Sequence, residues 1–240
     1  MTSHSGLVPY YEFMKAIGVE EAVERHMPKP GSGNGYHALE YIKPISLMQY
    51  GGGQVIEDVR EIRNDAALRK VVNIEEIPST SAIGDWLKRM GESGGIEGIE
   101  KVIDEANKKR FKKDPRKKYT LIIDPTIIES EKYEAKMTYM GFKGYRPVIA
   151  VIKELDMVLS YEFKEGNGGR VETIKKAFSK MPEGKEIGLV LLDSEYYTNE
   201  VMEYLTEKGV RWAIAVDKDA AVMKAVKAIP EEDWTVLRTM

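Results

Sequence analysis

The sequence predicts an α/β protein (α+β overall), with an N-terminal helical domain followed by a mixed β-sheet domain with flanking helices. Three observations carry this. Apolar residues recur at helical spacing through residues 1–107, and a dense basic run occupies 108–118. Beyond 119, short β-rich apolar runs alternate with helical segments. The expected domains are 1–107, helical and a candidate DNA-binding domain; 108–118, a basic linker; and 119–240, a sheet domain. Of the 240 residues, 42% are hydrophobic and 31% charged, enough to bury a core while staying soluble. No apolar run approaches the roughly 18–20 residues of a membrane helix.

In the helical half, Leu7 to Ile17 forms the first helix, with Gly18 as its stop. After the loop at 28–35, Tyr36 to Gln49 carries Leu39, Ile42, Ile45 and Met48 at helical spacing, and Gly51 to Gly53 breaks it. Helices over Val55–Arg63 and Ala66–Val71 follow. The clearest segment starts at Pro78 with the cap candidates Ser79, Thr80 and Ser81. Ile83, Trp86, Leu87 and Met90 then recur at i, i+3, i+4 and i+7 up to Gly91. This set is compatible with a helix-turn-helix, but any amphipathic helix with Trp86 in its core has the same pattern.

The sheet half starts with Tyr119–Ile123, which enters Asp124. Strands over Val148–Ile152 and Val158–Phe163 are joined by a turn at Glu154–Asp156, and a further turn is expected at 166–169. A helix over Val171–Lys180, a strand over Ile187–Leu192 entering Asp193, a helix over Asn199–Lys208 and a strand over Val210–Val216 complete the order β-β-β-α-β-α-β.

Charge is distributed unevenly. The net charge is −3, yet residues 108–118 hold eight basic side chains and one acidic. A phosphate backbone responds to charge density within a Debye length of about 10 Å, so this run is the candidate DNA contact: Lys108, Lys109, Arg110, Lys112, Lys113, Arg116, Lys117 and Lys118. A solvated linker is the bland alternative. The absence of cysteine excludes disulfides and thiolate metal sites and suits a reducing cytoplasm. The three histidines, His4, His26 and His37, have no ligand-like spacing. Neither GGG at 51–53 nor GNGG at 166–169 ends in Gly-Lys-Ser/Thr, which argues against a triphosphate loop. The tyrosines at 10, 11, 196 and 197 fit packing better than base stacking.

Asp124 and Asp193 stand at the ends of apolar strands, where carboxylates are held rigidly yet reach a crevice. Such a pair suits Mg²⁺, which takes a few carboxylates plus water and substrate phosphates. Strand-end aspartates also cap the helices that follow them, so either role fits the spacing.

The segment from Asp124 through Pro147 resembles the first catalytic block of bacterial insertion-sequence DDE transposases with a ribonuclease-H-like domain. It has Asp124-Pro125-Thr126 and then Gly144-Tyr145-Arg146-Pro147. Phe163 to Gly169 is similar to the family's third strand and exit turn. Leu191-Leu192-Asp193-Ser194 resembles its second block, and Gly52–Asp65 with Pro78–Ser81 resembles its helical region. The resemblance implies that 119–240 is a partial ribonuclease-H-like catalytic domain, with Asp124 and Asp193 as catalytic, metal-binding carboxylates. It further implies Mg²⁺ or Mn²⁺ as cofactor and double-stranded DNA, at transposon ends and target, as partner. A homodimer is the candidate assembly, with no membrane association and a cytoplasmic, nucleoid-associated location.

Two departures stand out. Glu195-Tyr196 replaces the family's Gly-Phe, and no Tyr-x-x-Arg-x-x-x-Glu setting for a third carboxylate occurs before Met240. Glu231, Glu232 and Asp233 lack that setting. The expectation is a C-terminally truncated, poorly soluble transposase fragment with little activity. A non-catalytic DNA-binding inhibitor of a full-length copy is the second possibility. A metal nuclease is the third, using Asp124, Asp193 and Glu195, the last two on one side of an extended strand.

Overall fold

Gly18 and Gly98 mark points of close approach within the N-terminal helical unit that a side chain would obstruct. The computed structural model describes residues 2–31, 33, 35–138, 141–165 and 169–234. It divides into two units, Met1–Pro115 and Arg116–Met240. The first contains α1 (Leu7–Ala16), α2 (Val19–His26), α3 (Ala38–Tyr50), α4 (Val59–Asn64), α5 (Ala66–Val71), α6 (Thr80–Glu92) and α7 (Gly95–Lys113), with a 3₁₀ turn at Ile56–Asp58. Gly18 takes a left-handed φ of 76° between α1 and α2, and a Cβ there would lie 1.8 Å from Lys109 Nζ. On α7, a Cβ at Gly98 would lie 2.8 Å from the His26 carbonyl oxygen and 2.9 Å from Met27 Sδ, so glycine admits the close α2–α7 approach. Arg25 and His26 clamp the same pair of helices by both pairing with Glu105. The two arms hold the Glu105 carboxyl down at about 2.

Among the described residues, the core of this unit is apolar with one buried cation. Tyr41 stacks on Trp86 with ring centroids 4.7 Å apart. Ser79 caps α6 by accepting from the Ala82 N–H, as the sequence predicts. Along α6, Ile83 and Trp86 are buried while Leu87 is exposed, so the apolar stripe is narrower than its spacing implied. Buried Lys43 pairs with Glu20 at 2.8 Å and lies over the Tyr11 ring. Of the helices, α2 and α7 were not foreseen. The basic run expected as a linker is helical through Lys113, where its cations complement the negative end of the α7 dipole.

The second unit is built on a mixed sheet. Its strands are β1 (Lys118–Pro125), β2 (Ile128–Glu129), β3 (Lys136–Met137), β4 (Lys143–Ile152), β5 (Met157–Glu165), β6 (Glu186–Leu192) and β7 (Arg211–Ile214). β4 runs antiparallel to both β1 and β5, while β1–β6 and β6–β7 are parallel. Because β1 and β5 both pair with residues 148–152 of β4, they occupy its opposite edges. The five long strands therefore run β5-β4-β1-β6-β7, with β2 and β3 as short additions to β4. The result is a mixed α/β sheet, parallel on one side of β1 and antiparallel on the other. β4 begins before the expected Val148, at Lys143, and β2, β3 and the helix α10 (Ala220–Lys227) were not foreseen. The expected turn at 166–169 lies outside the described residues except for Gly169.

Alternation decides which face is covered. Tyr119, Leu121 and Ile123 of β1 are buried, as are Val148, Ala150 and Ile152 of β4. Helix α8 (Arg170–Ser179) packs on β5 and on α9 (Asn199–Glu207), contributing Val171, Ile174 and Ala177; α9 adds Val201 and Leu205. Helix α10 buries none of its residues. Among the described residues, no helix is long and apolar enough to cross a membrane.

Candidate active site

Parallel pairing of β1 with β6 matches Ile123 to Leu192, so the next residue of each strand brings Asp124, still paired with β4, beside Asp193, just past the end of β6. Asp124 is exposed, whereas Asp193 is half-buried and its Oδ1 is buried without a hydrogen-bond partner. Burial raises the Asp193 carboxyl above its ordinary range, and the negative charges of Glu195 and Asp124 push the same way. The Glu195 backbone N–H and Arg146 oppose that rise. The side chain that caps α9 is Thr198, accepting from the Val201 N–H, so Asp193 is not required for that cap.

Glu195 is placed differently from an extended strand residue. It lies in a 3₁₀ turn, Ser194–Tyr196, and turns to Arg146. Arg146 Nε donates to Glu195 Oε2 at 3.0 Å, and Arg146 Nη2 pairs with Oε1. Arg170, at the start of α8, brings its Nε within 3.8 Å of the same Oε1. The nuclease reading that used Glu195 as a ligand beside Asp193 is therefore corrected: the carboxylate is already claimed by a buried guanidinium. Tyr196 packs in the interior, and burial pushes its hydroxyl up to about 12, in line with a packing role. Among the described residues, no group of three or more His, Cys, Asp or Glu side chains is arranged to hold a metal ion.

Arg146 is the site residue that sequence reasoning missed. It occupies the buried register of β4 among Gly144, Val148, Ala150 and Ile152. An arginine in the inward position of an alternating strand demands a buried counter-charge, and that signal was lost when the strand was begun at Val148.

The expected DNA-contacting residues fall into two sets. Lys108, Lys109, Arg110, Lys112 and Lys113 are exposed on the last turns of α7, around buried Phe111. Arg116, Lys117 and Lys118 belong to the second unit. There Arg116 donates to the Glu154 carbonyl oxygen at 3.1 Å and Lys118 pairs with Glu186 at 3.1 Å. A cleft of about 790 Å³ lies at the opposite end of the sheet from the aspartates, and Lys118, Lys185, Lys208 and Arg211 are among its lining residues.

Residues 1–238 match the family model described as "Transposase DDE domain group 1". No curated protein matches the chain. Similar solved structures include the HTLV-2 integrase catalytic core domain in complex with magnesium, at 18% identity and a TM-score of 0.30 over 48% of this chain and 77% of that one. The Mos1 mariner paired end complex with Mn is 12% identical with a TM-score of 0.30, over 94% of this chain and 83% of that one. A second Mos1 transposase complex, with the left transposon end, is 13% identical with a TM-score of 0.27, over 78% and 61%. With the sequence match covering nearly every residue, the chain belongs to the transposase DDE domain group 1 family.

Proposed function

We propose that the chain carries the first two metal-binding carboxylates of a DNA strand-cleavage and strand-transfer centre acting at transposon terminal inverted repeats. Asp124 and Asp193 hold Mg²⁺ or Mn²⁺ there. The observation that carries this is the pair itself: two aspartates at the same end of neighbouring parallel strands, one with a buried oxygen that has no hydrogen-bond partner. A hard divalent cation fits this donor set, since it prefers carboxylate oxygens and keeps open positions for water and phosphate. When bound, the metal supplies Lewis acidity to the phosphodiester and an activated water. The protein's part is to fix the two carboxylates on rigid strands and to keep Glu195 out of their way through Arg146. A third ligand is not supplied by Glu195, Glu231, Glu232 or Asp233; the last three lie in an exposed turn.

Double-stranded DNA is the partner, with the cations of α7 as its contact in the helical unit, and a homodimer on paired transposon ends is the working assembly. The location is with the nucleoid. Those five cations also support a second reading, a non-catalytic DNA-binding inhibitor, because they belong to the unit that lacks the aspartates. Neutralising Lys108, Lys109, Arg110, Lys112 and Lys113 together weakens DNA binding under both readings and flattens its salt dependence. Calorimetric titration with Mn²⁺ separates them. Wild type binds the ion and Asp124→Asn and Asp193→Asn each lose binding if the centre is real. Equal binding by all three proteins would refute the assignment of the pair.

A further inference from the structure

Two arginines hold Glu195 in unequal ways. Arg146 engages both carboxylate oxygens and is sealed from solvent, its side chain 3% exposed. Glu195 itself is 10% exposed. Arg170 brings its Nε to an ion-pair distance of 3.8 Å from Glu195, and that nitrogen is itself buried and makes no hydrogen bond. Its side chain is 34% exposed, so it alone of the three reaches solvent well. The trio carries one more positive than negative charge, and Glu195 is two residues from Asp193 along the chain. A guanidinium that one anion orients but does not saturate, at the rim of a carboxylate site, retains its fork of donors for a second anion.

We propose that Arg170 is a DNA-phosphate contact of this site, held in place by Glu195, which Arg146 anchors in turn. The proposal rests on the reading of Asp124 and Asp193 as the reaction centre. It adds the cationic half that a phosphodiester needs beside two carboxylates. Arginine matches this role because its planar fork can take two phosphate oxygens at once, whereas lysine offers a point charge.

The test uses the 240-residue chain, a fluorescein-labelled DNA duplex, and anisotropy titrations between about 50 and 200 mM KCl. Arg170→Gln binds the duplex about tenfold more weakly, and its log–log salt slope is shallower by about 0.9, the contribution of one phosphate contact. Arg170→Lys recovers the slope but only part of the affinity. Both variants keep the wild-type melting temperature and Mn²⁺ affinity, which a structural role would not predict. Wild-type DNA affinity and slope in Arg170→Gln overturn the proposal while leaving the transposase reading intact. So does a drop in melting temperature with DNA binding unchanged. If wild type binds Mn²⁺ but no duplex, Arg170 has no phosphate to contact and the proposal fails alone. If wild type binds neither, the proposal and the reading of the site fall together.

Discussion

The helical unit and the sheet unit treat buried polar atoms differently. In the helical unit, the buried arginine nitrogens without partners belong to side chains satisfied through another atom. Arg63 donates through Nη2 to the Pro78 carbonyl, and Arg69 through Nη1 to the Glu75 carbonyl at 2.9 Å. These side chains tie loops to helices. In the sheet unit, Arg146 Nη1, Arg170 Nε and Asp193 Oδ1 lack a hydrogen-bond partner and gather about one carboxylate, Glu195, to which Arg146 is bonded through its other two nitrogens. Scattered, backbone-directed polar contacts build a scaffold. Clustered, charged ones mark a candidate site.

The contrast can be broken by mutation. Trp86→Ala removes the ring stacked on Tyr41 in the scaffold core and is expected to lower stability by about 3–5 kcal/mol in chemical denaturation. Arg146→Met leaves Glu195 buried and short of its main partner. The expected loss is about 3 kcal/mol, at the low end for a broken buried pair because Arg170 remains 3.8 Å away. The double variant Arg146→Met/Glu195→Met recovers most of that loss, since no buried charge is stranded; failure to recover would show that the pair packs the sheet and does not merely balance charge.

Smaller effects sharpen the contrast through pH. The Glu105 carboxyl, held at about 2 by Arg25 and His26, contributes stability that is present above its ordinary 4.5 and is lost as pH falls toward 2. The clamp is solvent-screened, so Glu105→Gln should cost less than about 1 kcal/mol at neutral pH and nothing below pH 2. Asp193 has the opposite sign. Its carboxyl is raised, so its charged form opposes folding above the raised value, and that penalty disappears as pH falls below the ordinary 3.8.

Much of the sheet unit was legible because buried strands announce themselves. TLII before Asp124 and GLVLL before Asp193 are apolar runs that only a covered strand explains, and parallel pairing then put both aspartates at one end. Helix α7 was not legible, since two of its inward positions are Gly95 and Gly98, chosen for close approach and invisible to a hydrophobic period. Its cationic end looked like a linker because exposed charge reads the same on a helix and on a coil. Glu195 looked like a ligand because alternation assumes an extended chain, and the turn at Ser194–Tyr196 removes that assumption.

The proposed pairing of Asp124 and Asp193 as a cation site is tested most directly by thermal melting of wild type and Asp193→Asn, with and without Mn²⁺. The metal-free variant is expected to melt above metal-free wild type, because the buried charge of Asp193 and its repulsion from Glu195 and Asp124 are relieved. Mn²⁺ is expected to raise the melting temperature of wild type alone. A metal-free variant that melts below wild type, or a wild type indifferent to Mn²⁺, would contradict the proposed pairing.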